Sequence, residues 1–106
     1  MDREHFVIIL LNQKNHVIGV STISIGSLTA SIVHPREVYK SAILSNAASI
    51  ICGHNHPSTD CQPSREDRSI TTRLVEAGKL LGISVLDHVI IGGEGKYFSF
   101  VDENLL

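Results

Sequence analysis

No apolar run in the 106-residue sequence is long enough to cross a bilayer; the longest, such as Phe6 to Leu11, fall far short of the roughly 20 residues a helical span needs. The first residues also lack the basic segment and apolar core of a signal peptide, so the expected location is cytoplasmic, away from membranes. Lysine and arginine are dispersed, with no cluster of the kind that neutralises a row of phosphates, and the formal net charge is -2. Autonomous DNA binding therefore has no obvious electrostatic footprint. Cysteine is scarce: Cys52 and Cys61 could close one disulfide, but beside histidines in a chain of this size they read as thiols. Linkers, internal repeats and low-complexity segments are missing as well, so residues 1–106 are expected to form a single domain.

What is present reads as an α/β chain. Hydrophobic residues make up 42% and charged residues 19%, a globular balance. Glu4 stands immediately before the apolar run from His5 to Leu11, which reads as a strand buried on both faces near the middle of a sheet. Asn12 to Asn15 is a polar turn, and His16 to Ile25 returns as a second strand. Leu28, Ala30 and Ile32 alternate as a third, in an antiparallel meander. Pro35 ends that pattern and opens a helix from Arg36, with Val38, Ala42 and Ser45 on one stripe. Ala48 to Gly53 then makes a short strand that delivers His54, and a strand, helix, strand connection predicts a parallel partner and hence a mixed sheet. Ser64 begins a second helix, with Ile70, Leu74, Ala77 and Leu81 at helical spacing and Gly82 placed as the left-handed residue past its end. Strands from Ile83 to Ile91 and from Lys96 to Val101 complete an outline of about six strands and two helices.

The chemistry concentrates between His54 and Asp67. In an extended strand His54 and His56 point to the same side, so both imidazoles can converge on one ion while Asn55 points away. Two imidazoles and a carboxylate suit zinc, and Asp67, in the first turn of the next helix, is the natural third ligand. Three protein ligands leave a fourth position for water, whose pKa would fall from about 15.7 towards about 7. Each piece also has a plainer use. Ser64 with Asp67 three residues later matches a capping box, which needs no metal, and two histidines alone could be polar loop residues. A closed site of Cys52, His54, His56 and Cys61 is a rival, although the apolar neighbours of Cys52 suit a core residue.

His54-Asn55-His56-Pro57, followed by Ser64 and then Asp67, resembles the JAMM motif of MPN-type metalloproteases. The longer stretches Val33 to Val38, His54 to Ser58, Pro63 to Asp67 and Leu86 to Gly92 resemble the RadC-family domain, often labelled a DNA repair protein, over essentially the whole chain. The resemblance implies a cytidine-deaminase-like three-layer α/β fold, a mixed central sheet with helices on both faces. It also implies one zinc ion held by His54, His56 and Asp67, with water as the fourth ligand, and Ser64 as an oxyanion stabiliser. The family's general base is a glutamate at the start of the first central strand, the place that Glu4 holds here. Glu37 is the fallback, and its plainer reading is a favourable charge at a helix N-terminus.

The implied activity is that of a zinc-dependent metallopeptidase or isopeptidase acting on a protein or peptide. The alternative is a non-catalytic module of a DNA repair or recombination protein that binds protein or DNA. A nucleobase deaminase would share the fold, but its His-x-Glu and Pro-Cys-x-x-Cys signature is absent. Two departures stand out: Thr59 replaces the glycine usual in RadC relatives, and Asn55 replaces the serine or threonine of deubiquitinating ones. The insertions with which the latter recognise ubiquitin are not evident, so ubiquitin specificity is not implied. The helix-hairpin-helix region that commonly precedes the RadC domain is likewise not in this sequence.

Overall fold

The computed structural model describes residues 4–26, 33–56 and 60–106. Along the chain these form β1 (Glu4–Leu11), β2 (Val17–Gly26), α1 (Pro35–Leu44), β3 (Ser49–Asn55), α2 (Arg65–Leu81), β4 (Ser84–Ile91) and β5 (Tyr97–Ser99). The strands lie in the order β2-β1-β3-β4-β5, with β3 and β4 parallel and the other neighbouring pairs antiparallel. The sheet is therefore mixed and the fold α/β, as the crossover pattern requires. The strand expected around Leu28, Ala30 and Ile32 lies outside the described residues, as does Thr59.

Local chemistry accounts for the element ends. Asn15 takes a left-handed φ of 62° in the β1–β2 turn, a conformation that asparagine adopts more readily than most residues. Pro35 occupies the first turn of α1, where its missing amide costs nothing, and Ser64 caps α2. Gly82, at φ 73°, closes α2 in the left-handed geometry expected of it.

From β2 through α1 to β3, and from β3 through α2 to β4, the chain steps the same way across the sheet. Right-handed crossovers in one direction put both helices on one face. The core shows this directly. Val38, Tyr39 and Ala42 of α1 and Ile70 and Leu74 of α2 share a single cluster with Phe6, Ile8, Leu10, Ile50 and Cys52. The Tyr39 hydroxyl, buried between the helices, donates to the Leu74 carbonyl at 2.6 Å. Among the described residues the helices thus share a face instead of taking one each. β1 is correspondingly buried on one side only, with Phe6, Ile8 and Leu10 inside and His5, Val7 and Ile9 half-buried. That second side lines a groove of about 760 Å³ together with Ile51, Val89 and Ile91.

One irregularity bears on the site. Ile50 pairs with Val85 but Ile51 pairs with Asp87, so Leu86 is an extra residue in β4. This bulge reverses the side-chain alternation. Val85 before it and His88 after it consequently both face the helices, and His88 is fully buried there.

Candidate metal centre

The site lies where β3 ends and α2 begins. β1 and β3 pair with Phe6 opposite His54, so the even-numbered residues of both strands face the helices. His54 is 3% exposed and packs against the Phe6 ring, with centroids 5.7 Å apart. His56, past the last residue of β3, is more open, with its side chain 17% exposed. Asp67 reaches both from the first turn of α2. Its Oδ1 lies 3.2 Å from His54 Nε2, and its Oδ2 lies 3.2 Å from His56 Nε2. One ligand atom from each of the three residues falls within 4.8 Å of the others.

The capping box expected at this junction is also formed. The Ser64 hydroxyl accepts from the Asp67 amide at 3.1 Å, and the Ser64 amide donates to Asp67 Oδ2 at 2.7 Å. Cap and cluster thus use the same carboxylate. Burial alone would push Asp67 up, but the Ser64 amide donating to its Oδ2 acts the other way, and the net shift is downward, well below the usual carboxylate range. It is an anion at neutral pH.

Whether these residues suit a cation is decided by their free lone pairs. His56 Nδ1 lies 3.0 Å from the carbonyl oxygen of Asp60, which can only accept, so Nδ1 carries a proton and the neutral ring presents its Nε2 lone pair 3.2 Å from Asp67 Oδ2. His54 Nε2 is a buried nitrogen with no hydrogen-bond partner among the described residues. Two such nitrogens set against an ionised carboxylate repel one another unless a positive charge lies between them. The donor set, two imidazoles and a carboxylate with one side open to solvent, fits zinc.

The other expected residues fall into place unevenly. Glu4, half-buried, begins β1 and pairs with Gly26. It lies on the same side of β1 as Phe6, two residues before the Phe6–His54 pair. Glu37 is exposed in the first turn of α1. Cys52 faces the same way as His54 but is a core residue. Burial pushes its thiol up to about 12, and the cluster forms without it. Among the described residues the closed two-cysteine, two-histidine site is not assembled, and both cysteines are free thiols.

Sequence reasoning gave no role to His88, Thr71 or Asp87. His88 Nε2 lies 3.0 Å from His54 Nδ1, and its Nδ1 meets the Thr71 hydroxyl. The His88 ring stacks on Phe100 with centroids 4.7 Å apart, and burial in these surroundings pushes it down to about 3, so it is neutral. Asp87 ties β4 to the chain's last turn, accepting from the Ser99 hydroxyl at 2.6 Å and the Val101 amide at 3.0 Å. The only sequence signal for Asp87 and His88 was the run from Leu86 to Gly92, which carried resemblance without a function, and Thr71, in α2, had none.

A family model described as a RadC-like JAB domain matches residues 1–105. A UPF0758 protein of Rubrobacter xylanophilus is 58% identical over 106 residues, covering 100% of this chain and 46% of that protein. One from Caldanaerobacter subterraneus subsp. tengcongensis is 64% identical over 92 residues, covering 87% of this chain and 40% of its own length. One from Methanosarcina acetivorans is 56% identical over 104 residues, 98% of this chain and 45% of that protein. The chain thus spans less than half the length of these relatives.

Proposed function

The chain belongs to the RadC-like JAB domain family, and from that premise we propose that it is a zinc-dependent hydrolase of amide bonds, a metallopeptidase or isopeptidase. The observation that carries this reading is the convergence of His54 Nε2, His56 Nε2 and the Asp67 carboxylate within 4.8 Å at the mouth of the sheet. Its support is that His56 Nδ1 is engaged elsewhere and His54 Nε2 is a buried orphan. These three residues would hold the ion. Zinc bound there supplies Lewis acidity, polarising a carbonyl and making a water acidic enough to attack at neutral pH.

The remaining work falls to the chain's own groups. Glu4 accepts a proton from the attacking water as its oxygen bonds to the amide carbon, and hands that proton to the nitrogen as the carbon–nitrogen bond breaks. Ser64 spends only its oxygen on the Asp67 amide, so its hydroxyl proton is free to donate to the oxyanion of the tetrahedral intermediate. Being exposed, Ser64 is accessible to a substrate. His54, buried, sets the floor of the site, and His56 its solvent-facing wall.

The test is to load the protein with zinc and profile it against peptide and isopeptide libraries beside Asp67→Asn and Glu4→Gln. Cleavage is expected from the loaded protein, lost in Asp67→Asn together with the metal. In Glu4→Gln it should fall by about a hundred- to ten-thousand-fold with zinc still bound. A protein that takes up no zinc when metal is supplied in excess would overturn the reading. Loss on Glu37→Gln with Glu4→Gln unaffected would move the base to α1.

A further inference from the structure

Thr71 has a single hydroxyl proton, and the structure accounts for it. The side chain turns back along α2 and donates to the Asp67 carbonyl at 2.7 Å. Towards His88 Nδ1 the same oxygen can therefore only accept, which requires His88 to carry its proton on Nδ1. The His88 ring is fully buried, stacked on Phe100 and edge-on to Phe6, surroundings that disfavour a charged imidazolium and favour the neutral ring. Its Nε2 is consequently a bare acceptor, 3.0 Å from His54 Nδ1. The neutral His54 ring then carries its proton on Nδ1, which turns the Nε2 lone pair towards the site beside Asp67 Oδ1.

We infer that Thr71 and His88 are positioning residues, a buried relay that fixes the Nδ1-protonated tautomer of His54 and so presents its Nε2 lone pair to the cation. The inference rests on the reading that His54, His56 and Asp67 hold zinc. The opposite arrangement shows what the relay prevents. With the chain of protons reversed, His88 Nε2 would donate to His54 Nδ1 and His54 would carry its proton on Nε2. That nitrogen could not ligate, and its proton would lie against Asp67, sealing the site. Thr71 selects between the two patterns because the helix carbonyl beneath it has already claimed its proton. The bulge at Leu86 is what lets His88 reach this position.

Two measurements test the relay. In metal-free protein with 15N-labelled histidine, long-range proton–nitrogen correlation spectra should show both His54 and His88 protonated on Nδ1. In Thr71→Val, which removes the hydroxyl at nearly constant shape, the pair should shift towards Nε2 protonation. Its zinc affinity, measured by competition with a chelator, should fall about 10- to 100-fold. Thr71→Ser should restore both the tautomer and the affinity. Nε2 protonation of His54 in the wild-type protein would overturn the inference. So would a Thr71→Val variant with wild-type tautomers and wild-type zinc affinity. A wild-type protein that binds no zinc would instead overturn the proposed function, and the tautomers of the metal-free protein would still decide the relay.

Discussion

Gly78 offers a sharp test of how α2 is held. It lies on the buried side of the helix, and a Cβ built there would stand 2.2 Å from the Ile83 carbonyl oxygen and 2.6 Å from the Tyr39 hydroxyl. Both contacts are on the order of 1 Å too short for ordinary van der Waals packing. Neither obstacle is free to retreat. The Ile83 amide donates to the Gly78 carbonyl at 3.0 Å, and the Tyr39 hydroxyl donates to Leu74 at 2.6 Å. Alanine would gain about 1 kcal/mol over glycine in a helix interior. Against this stand roughly 1–3 kcal/mol for overpacking and about 1 kcal/mol for the Tyr39 hydrogen bond if the ring is driven out. Gly78→Ala should therefore destabilise by about 2 kcal/mol, or roughly 10 °C in Tm for a domain of this size. Urea and thermal unfolding measure it, and Tyr39→Phe in the same background should recover part of the loss, a non-additivity expected of groups in contact. A Gly78→Ala protein more stable than wild type would refute the close approach. The consequence reaches the site, because α2 carries Asp67 and Thr71 in its first two turns and cannot tilt without moving both.

Two further outcomes are expected. His88 is neutral when folded and titrates near its ordinary value of about 6.5 when unfolded, so below that pH the unfolded state binds the extra proton. Stability is whole above about pH 6.5 and is lost as the pH falls towards about 3, the folded value. Urea unfolding of the metal-free protein should show a loss of about 2 kcal/mol between about pH 7 and pH 5, with His88→Gln removing this contribution and a pH-independent wild type contradicting it. Asp67→Glu keeps the charge and supplies the more usual capping-box residue, yet moves the carboxylate by one methylene. Thermal stability should stay within about 1 kcal/mol of wild type while zinc affinity drops at least about tenfold, and unchanged zinc binding would separate Asp67 from the metal site.

The parts of this architecture legible in the sequence are those written in local patterns. Pro35, Ser64 and Gly82 mark helix ends through their own backbone chemistry, and the even spacing of His54 and His56 places both on one side of a strand. The face that each helix covers is not a local property. It follows from the direction of two successive crossovers, and so the half-open state of β1 was hidden behind an apolar run that reads equally well as a fully buried strand. His88 was hidden for a different reason. Strict alternation through β4 would put Val85 and His88 on opposite faces, and only the extra residue at Leu86 brings them together. Nothing in the amino acids from Ser84 to Ile91 announces that bulge, because it arises from pairing with β3.

Ser64 and Asp67 invited two explanations, a helix cap and a metal site, and the geometry makes each depend on the other. The Ser64 amide takes Asp67 Oδ2 at 2.7 Å, fixing the rotation of the carboxylate. With that oxygen committed to the cap, Oδ1 is directed towards the orphaned His54 Nε2. The helix N-terminus would by itself repel a cation, since its dipole is positive there. The same dipole and the same amide, however, keep Asp67 ionised in a buried setting, and an ionised carboxylate is what a dication requires. A neutral side chain at this position could still cap α2, but two bare imidazole nitrogens would then face the site with no counter-charge to draw an ion from water. The cap is thus what supplies a buried, oriented anion at the one place where β3 delivers two histidines, and a metal site built from these residues inherits its geometry from the start of a helix.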